Sequence, residues 1–188
     1  MIQRKMIAED ETHHNCLFFG RDIGGNIRSC ALRGTTPVKF RGEVAGGDKS
    51  YSFVMKGNSD TLRIFESPID AMSHATFSKL LGIDWTKDHR ISLNGCGNFS
   101  AVQRYLTEHP EINKVSIALD NDAAGKKAAE ELQHKLKANY PDRVFTVGFS
   151  CSIFKDWNED LLKFRSSTIP VEQFITMTAE NIDNTPDD

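Results

Sequence analysis

The run Lys114-Val-Ser-Ile-Ala-Leu-Asp-Asn-Asp-Ala-Ala-Gly125 constrains this chain more than any other segment. Its β-branched apolar stretch has the composition of a buried strand, and it stops abruptly at two carboxylates, Asp120 and Asp122, one residue apart. Open α/β sheets keep their ligands at the carboxyl ends of the strands, so a strand ending in Asp-x-Asp delivers both acids to that edge. Hard carboxylate oxygens there suit Mg²⁺ and, through it, phosphate. A second run, Thr61-Leu-Arg-Ile-Phe, ends the same way in Glu66 and brings a third acid to the same edge.

From Thr61 onward strand and helix patterns alternate four times, the signature of parallel βα units. Strands are expected near 61–65, 90–93, 114–119 and 143–148. Ser67 is placed to cap the first helix with Pro68 in its first turn, and Ile69, Met72, Phe77 and Leu80 supply an apolar stripe that ends around Gly82. The second strand runs into Asn94-Gly-Cys-Gly-Asn98, then a helix with Phe99, Val102 and Leu106 inward. Glycine-rich turns at helix starts expose backbone N–H groups, so Gly95 and Gly97 are candidate phosphate contacts; a tight turn capped by Asn98 is the competing reading. The third helix carries Ala128, Leu132 and Leu136 on one face. After the fourth strand, in Phe154-Lys-Asp-Trp-Asn-Glu-Asp-Leu-Leu162, Trp157, Leu161 and Leu162 are expected to pack while Asp156 and Asp160 stay polar.

Ahead of this unit, residues 15–22 and 27–33 flank a turn-rich spacer and predict a β-hairpin, with Tyr51–Met55 as one further strand. Residues 20–56 hold seven basic and three acidic side chains, a local charge of +4 in a chain whose net charge is −3. Bulk electrostatic coating of nucleic acid is therefore excluded, while a local basic surface beside acids would suit a polyanionic substrate. Arg33, Arg41, Lys126 and Lys155 are the candidate phosphate contacts among these cations and those beside the acids; a solvated surface is the alternative. The expected organisation is a basic β-rich lead-in over 1–57, an α/β domain over 58–165, and a C-terminal helix with an acidic tail over 166–188. The four cysteines form no Cys-x-x-Cys pair, so neither a zinc ribbon nor a redox motif is visible. Cys96 has no adjacent base to make it a nucleophile. His13, His14, His74 and His134 are read as surface residues. No apolar run approaches a membrane span and no signal-peptide pattern opens the chain, so a cytoplasmic location is expected.

The order strand-Glu66, helix, glycine-bearing turn, strand-Asp120-x-Asp122-x-x-Gly125 resembles the Toprim domain of bacterial primases, topoisomerases and related nucleases, over roughly residues 60–162. The resemblance implies a compact Toprim-like α/β fold with a central, mainly parallel four-stranded sheet flanked by helices, behind a small β-rich segment. It implies Glu66 as general acid/base, Asp120 and Asp122 as ligands of Mg²⁺ (or Mn²⁺), and Asp156 as a further ligand; Asp70, at the family's Glu-x-x-x-Asp spacing, is either another ligand or a first-turn helix residue. The Ala-Ala-Gly that follows the acids is similar to the primase branch associated with plasmids and mobile elements. That branch implies nucleotidyl transfer in DNA replication, with single-stranded DNA, nucleoside triphosphates and other replication proteins as partners.

Other uses of Asp-x-Asp-x-x-Gly fit less well. An EF-hand would match at Asp120, Asp122, Gly125 and Glu131, but Ala124 and Lys127 stand at liganding and apolar positions and a strand leads in. A haloacid-dehalogenase-type phosphatase would want Thr or Val where Ala124 stands. Two functional alternatives share the fold: a metal-dependent nuclease using water as nucleophile, and a nucleic-acid-binding module without turnover. The absent zinc and helicase-recruiting parts suggest a fragment of a larger protein.

Overall fold

The computed structural model describes residues 1, 5–38, 40–95, 97–143 and 145–166. The expected C-terminal helix and tail, Lys39 and Cys96 lie outside the described residues. Among the described residues no helix is long and apolar enough to cross a membrane.

Strands β1 (Ile7–Glu9), β2 (Cys16–Arg21), β3 (Ile27–Arg33) and β4 (Arg41–Glu43) form an antiparallel sheet in sequence order. The predicted hairpin is β2–β3, closed at a turn where Asp22 accepts from the Asn26 backbone and Gly25 takes a positive φ of 83°. Alternation along β2 and β3 turns Phe18 and Ala31 inward, where they join a core with Phe53, Met55, Phe65 and Trp157.

The second sheet has five strands in the order β5 (Val54–Met55), β7 (His89–Ser92), β6 (Thr61–Phe65), β8 (Lys114–Ile117) and β9 (Thr146–Phe149). All pairs are parallel except β5–β7. The four strands expected from sequence are all present. The fifth, β5, comes from the Tyr51–Met55 run, which continues out of the lead-in to pair with β7 at the sheet edge.

Helices α1 (Pro68–Leu80) and α4 (Trp157–Ser166) contribute to the core shared with the first sheet, while α2 (Phe99–Glu108) and α3 (Ala123–Asn139) cover the other face. The apolar stripe expected on α1 is only partly its buried side. Leu80 is half exposed, and the buried positions include the small residues Ala71, Ser73, Ala75 and Ser78. Small residues let α1 lie close to the sheet and leave room for the buried Arg90 guanidinium, which bonds the Ser78 hydroxyl. On α3 Ala129, Leu132 and Leu136 are buried, with Ala128 at the margin. On α4 Trp157 is buried and Leu161 partly so, but Leu162 is exposed, and Asp160 is fully buried rather than at the surface.

Candidate active site

Strand β8 ends at Ile117, and the chain carries Asp120 past the sheet edge before α3 begins. The Asp122 side chain caps α3 by accepting from the Gly125 N–H at 2.9 Å. This first turn folds so tightly over Asp120 that a Cβ on Gly125 would stand 2.1 Å from the Asp120 carbonyl oxygen. The glycine of Asp-x-Asp-x-x-Gly is thus required by close backbone approach. Between the two acids, the Asn121 N–H donates to the Lys155 carbonyl at 2.7 Å and its side-chain amide to the Ser152 carbonyl at 2.9 Å. These bonds pin the acid turn against the loop that carries Asp156. Asp160, buried in the first turn of α4, holds that loop by accepting from the Ile153 and Phe154 N–H groups, both at 2.8 Å, and Asp156 accepts from the Glu159 N–H at 2.7 Å.

Glu66 leaves the end of β6 directly before Ser67, which caps α1. Asp70 is buried and accepts from the Ser67 hydroxyl with one oxygen and from the Asn158 N–H with the other, tying α1 to α4. Burial raises its carboxyl pKa, Asp156 and Glu66 adding to the effect, although the Ser67 and Asn158 bonds oppose it. Burial also pushes Asp120 up to about 7, with further contributions from Glu66, Asp70, Asp156 and Asp122 in that order. Five carboxylates from three segments therefore share one electrostatic neighbourhood. Among the described residues, no three His, Cys, Asp or Glu side chains are gathered tightly enough to hold a metal ion by themselves.

In front of this edge lies a groove of about 690 Å³ between the two sheets. Glu66, Gly95 and Gly97 line it from one side and Arg33, Arg41 and Lys49 from the other. Arg33 and Arg41 are direct cross-strand partners, and neither is paired with a carboxylate among the described residues. Lys126 and Lys155 are exposed and do not line the groove, and Asp120, Asp122, Asp70 and Asp156 lie outside its lining.

The Gly95 N–H donates to the Glu66 carbonyl at 3.1 Å, so the glycine turn is stitched to the acid-bearing strand. Asn94 has a φ of 53° and Gly95 of 124°, which together make the sharp exit from β7. Asn98 occupies the N-cap position of α2 but makes no side-chain cap bond; its amide donates instead to the Lys49 carbonyl at 2.8 Å. Sequence reasoning missed Lys49, Asn98 and Ser100 as groove residues, and for Asn98 the only signal was its place directly after Gly-x-Gly.

Of the histidines read as superficial, His13, His14 and His134 are exposed. His74 is not. It meets Phe65 at a tilt and Trp157 edge to face, at ring-centre distances of 5.1 and 4.8 Å, because α1 is close enough to the sheet to turn it inward.

A family model described as Toprim-like matches residues 63–161, and one described as a protein of unknown function (DUF3991) matches residues 1–59. A comparison with curated proteins gives no match. Among solved structures, the primase fragment of the bacteriophage T7 primase-helicase protein is 16% identical with a TM-score of 0.64, covering 92% of this chain and 66% of that one. A DNA primase domain from Pseudomonas aeruginosa is 16% identical with a TM-score of 0.59, covering 95% of this chain and 60% of that one. The E. coli primase catalytic core is 17% identical with a TM-score of 0.57, covering 95% and 58% respectively. The chain thus spans less than two thirds of each of these relatives, and at such identities the likeness is one of fold. With the model match extending from β6 through the acid turn into α4, the chain belongs to the Toprim-like family.

Proposed function

We propose that this chain performs primase-like nucleotidyl transfer on single-stranded DNA, in replication of a plasmid or mobile element, with Mg²⁺ (Mn²⁺ substituting) at the acid edge. The observation that carries the reading is the Arg33–Arg41 pair. Like charges directly across an antiparallel ladder are destabilising, and among the described residues these two have no carboxylate ion-pair partner in the groove that also holds Glu43 and Glu66. A phosphodiester backbone in the groove would offset both charges.

The acid edge fits a hard divalent cation by its chemistry. Burial first, and then the neighbouring carboxylates, raise the pKa of Asp120, so this all-oxygen donor set is short of positive charge. Mg²⁺ usually keeps several waters and binds through one or two carboxylates together with substrate phosphates, so it does not need a closed protein cage. Asp120 and Asp122 would hold it, with Asp156 next in reach through the loop pinned to Asn121. Bound there, the ion would offset charge on the phosphoryl oxygens. Glu66, which lines the groove at the end of β6 while the groove's other acid, Glu43, pairs with Lys49, would exchange a proton with the attacking 3′-hydroxyl. Asp70 supports the site as the tie between α1 and α4. The glycine turn at Gly95 and Gly97 presents backbone to the strand, while Lys126 and Lys155 stand further out.

The test combines binding and turnover. Binding of single-stranded DNA is measured against salt for the wild type, Arg33→Ala and Arg41→Ala, and primer synthesis is measured with Mn²⁺ and nucleoside triphosphates for the wild type and Asp120→Asn. Each arginine lost is expected to lower the salt slope by about 0.7, and Asp120→Asn to abolish synthesis while binding persists. Strand cleavage that needs no triphosphate would replace this reading with a nuclease. Binding untouched by chelation, without any turnover, would leave a binding module.

A further inference from the structure

Three segments carry the acids of the edge: the end of β6 with Glu66, the end of β8 with Asp120, and the start of α4 with Asp156. One side chain that the proposed chemistry does not use packs against the first and the last of these and reaches the second through Trp157. His74, on α1, packs against both the Phe65 ring, adjacent in sequence to Glu66, and the Trp157 ring, adjacent to Asp156, and these two rings also meet each other edge to face at 6.4 Å, so the three close a triangle. Trp157 in turn donates its indole N–H to the Ala118 carbonyl at 3.1 Å, two residues before Asp120. Behind His74 lies Arg90, on strand β7 between β5 and β6, only 2% exposed. Its guanidinium is held by the Trp85 carbonyl at 2.6 Å, the Asp88 carbonyl at 3.1 Å and the Ser78 hydroxyl at 3.3 Å, and its Nε donates to His74 Nδ1 at 3.4 Å.

We infer that His74 is a positioning residue for the acid edge: its ring, oriented by Arg90, sets the separation of the Glu66, Asp120 and Asp156 segments. The inference rests on the carboxylate-site reading above and adds the residue that holds that site in register. Its chemistry is that of a flat, rigid spacer. Accepting from Arg90 at Nδ1 leaves the ring proton on Nε2, and burial, followed by the nearby Arg90 and Arg63 charges, keeps the ring neutral by lowering its pKa well below the ordinary histidine value. A neutral ring packs against two aromatic neighbours at little cost in desolvation. Spacing matters here because, among the described residues, no three acids already form a closed cage. A shift of about an ångström at any one segment would change which oxygens a cation can reach together.

The variants are His74→Gln, which keeps an acceptor for Arg90 and loses the ring, and His74→Phe, which keeps the ring and loses the acceptor. Leu136→Ala, on the opposite face of the sheet, serves as a control for general destabilisation. Two quantities are measured: hydrogen exchange of the Trp157 indole N–H in metal-free protein by NMR, and Mn²⁺ affinity by calorimetry. In His74→Gln the indole proton is expected to exchange at least about tenfold faster than global stability explains, and Mn²⁺ affinity to fall about tenfold. His74→Phe should recover most of both, and Leu136→Ala should alter neither beyond its global effect. Indole exchange in His74→Gln that merely follows global stability would overturn the inference. So would loosened exchange with Mn²⁺ affinity unchanged. If wild-type protein binds no Mn²⁺, the carboxylate-site reading fails separately, and the exchange result alone decides whether His74 sets the spacing.

Discussion

Replacing Asp120 by asparagine should stabilise the metal-free protein at alkaline pH, although it removes a residue assigned to binding. The Asp120 carboxyl stands at about 7 instead of 3.8, first because it is buried and then because Glu66, Asp70, Asp156 and Asp122 lie near. Between those two pH values the folded state binds a proton that the unfolded chain has released. The slope of unfolding free energy with pH is therefore negative in that window. The stability tied to protonated Asp120 is fully present below about pH 4 and is lost as pH rises through about 7. At about 1.4 kcal/mol per pH unit the ceiling is about 4 kcal/mol. Water reaches part of this side chain and the neighbouring acids can relax, so about 2 kcal/mol is the figure to test. Urea unfolding in chelator, at pH 4 and pH 8, should show the wild type losing about 2 kcal/mol more than Asp120→Asn between the two conditions. Millimolar Mg²⁺ should close that gap at pH 8, because a ligand that binds only the folded state stabilises it by mass action. Identical pH dependence of the two proteins would refute the claim that the edge is short of positive charge.

Two further substitutions probe how the edge is built. Gly125→Ala would set a methyl group 2.1 Å from the Asp120 carbonyl oxygen, where only backbone could yield. It should cost about 2 to 3 kcal/mol in thermal or urea unfolding, and a value below about 0.5 would contradict the close approach. Asp160→Asn replaces a carboxylate that accepts two N–H bonds, from Ile153 and Phe154, by a group with one acceptor oxygen. A loss of about 2 kcal/mol is expected at neutral pH, with faster amide exchange at Ile153 and Phe154 as the local signature.

The elements that sequence conveyed best are those in which one local pattern decides the outcome. The run Lys114–Leu119 could only be a buried strand, and Ser67-Pro68 could only open a helix, so the edge carrying Glu66 and Asp120 was legible before any fold was known. Strand β5 has only two residues, too few for a period, and its pairing with β7 depends on the whole sheet. The inward face of α1 is small and partly polar, and hydrophobic periodicity passes over such a face. His74 has the local surroundings of a surface histidine; its burial depends on Phe65, Arg90 and Trp157, which lie nine, sixteen and eighty-three residues away. The groove was legible only as two lists, one basic and one acidic. Their joining depends on how the first sheet docks, which no local signal encodes.

That docking runs through Gly20 and Phe53. They form an isolated bridge between the two sheets, Phe53 meets Phe18 edge to face at 5.6 Å, and a Cβ on Gly20 would come within 2.9 Å of the Tyr51 and Ser52 backbone. A cut near residue 60 would keep Phe18, Gly20 and Phe53 on the first piece but strip β5 from β7 and leave each piece with half a wall of the groove. The segments matched by the two family models are consequently not interchangeable cassettes. A graft of the second onto a foreign partner would have to give β7 a new edge strand in place of β5, and substitutions along the Phe18–Gly20–Phe53 seam would be felt first as a change in groove width.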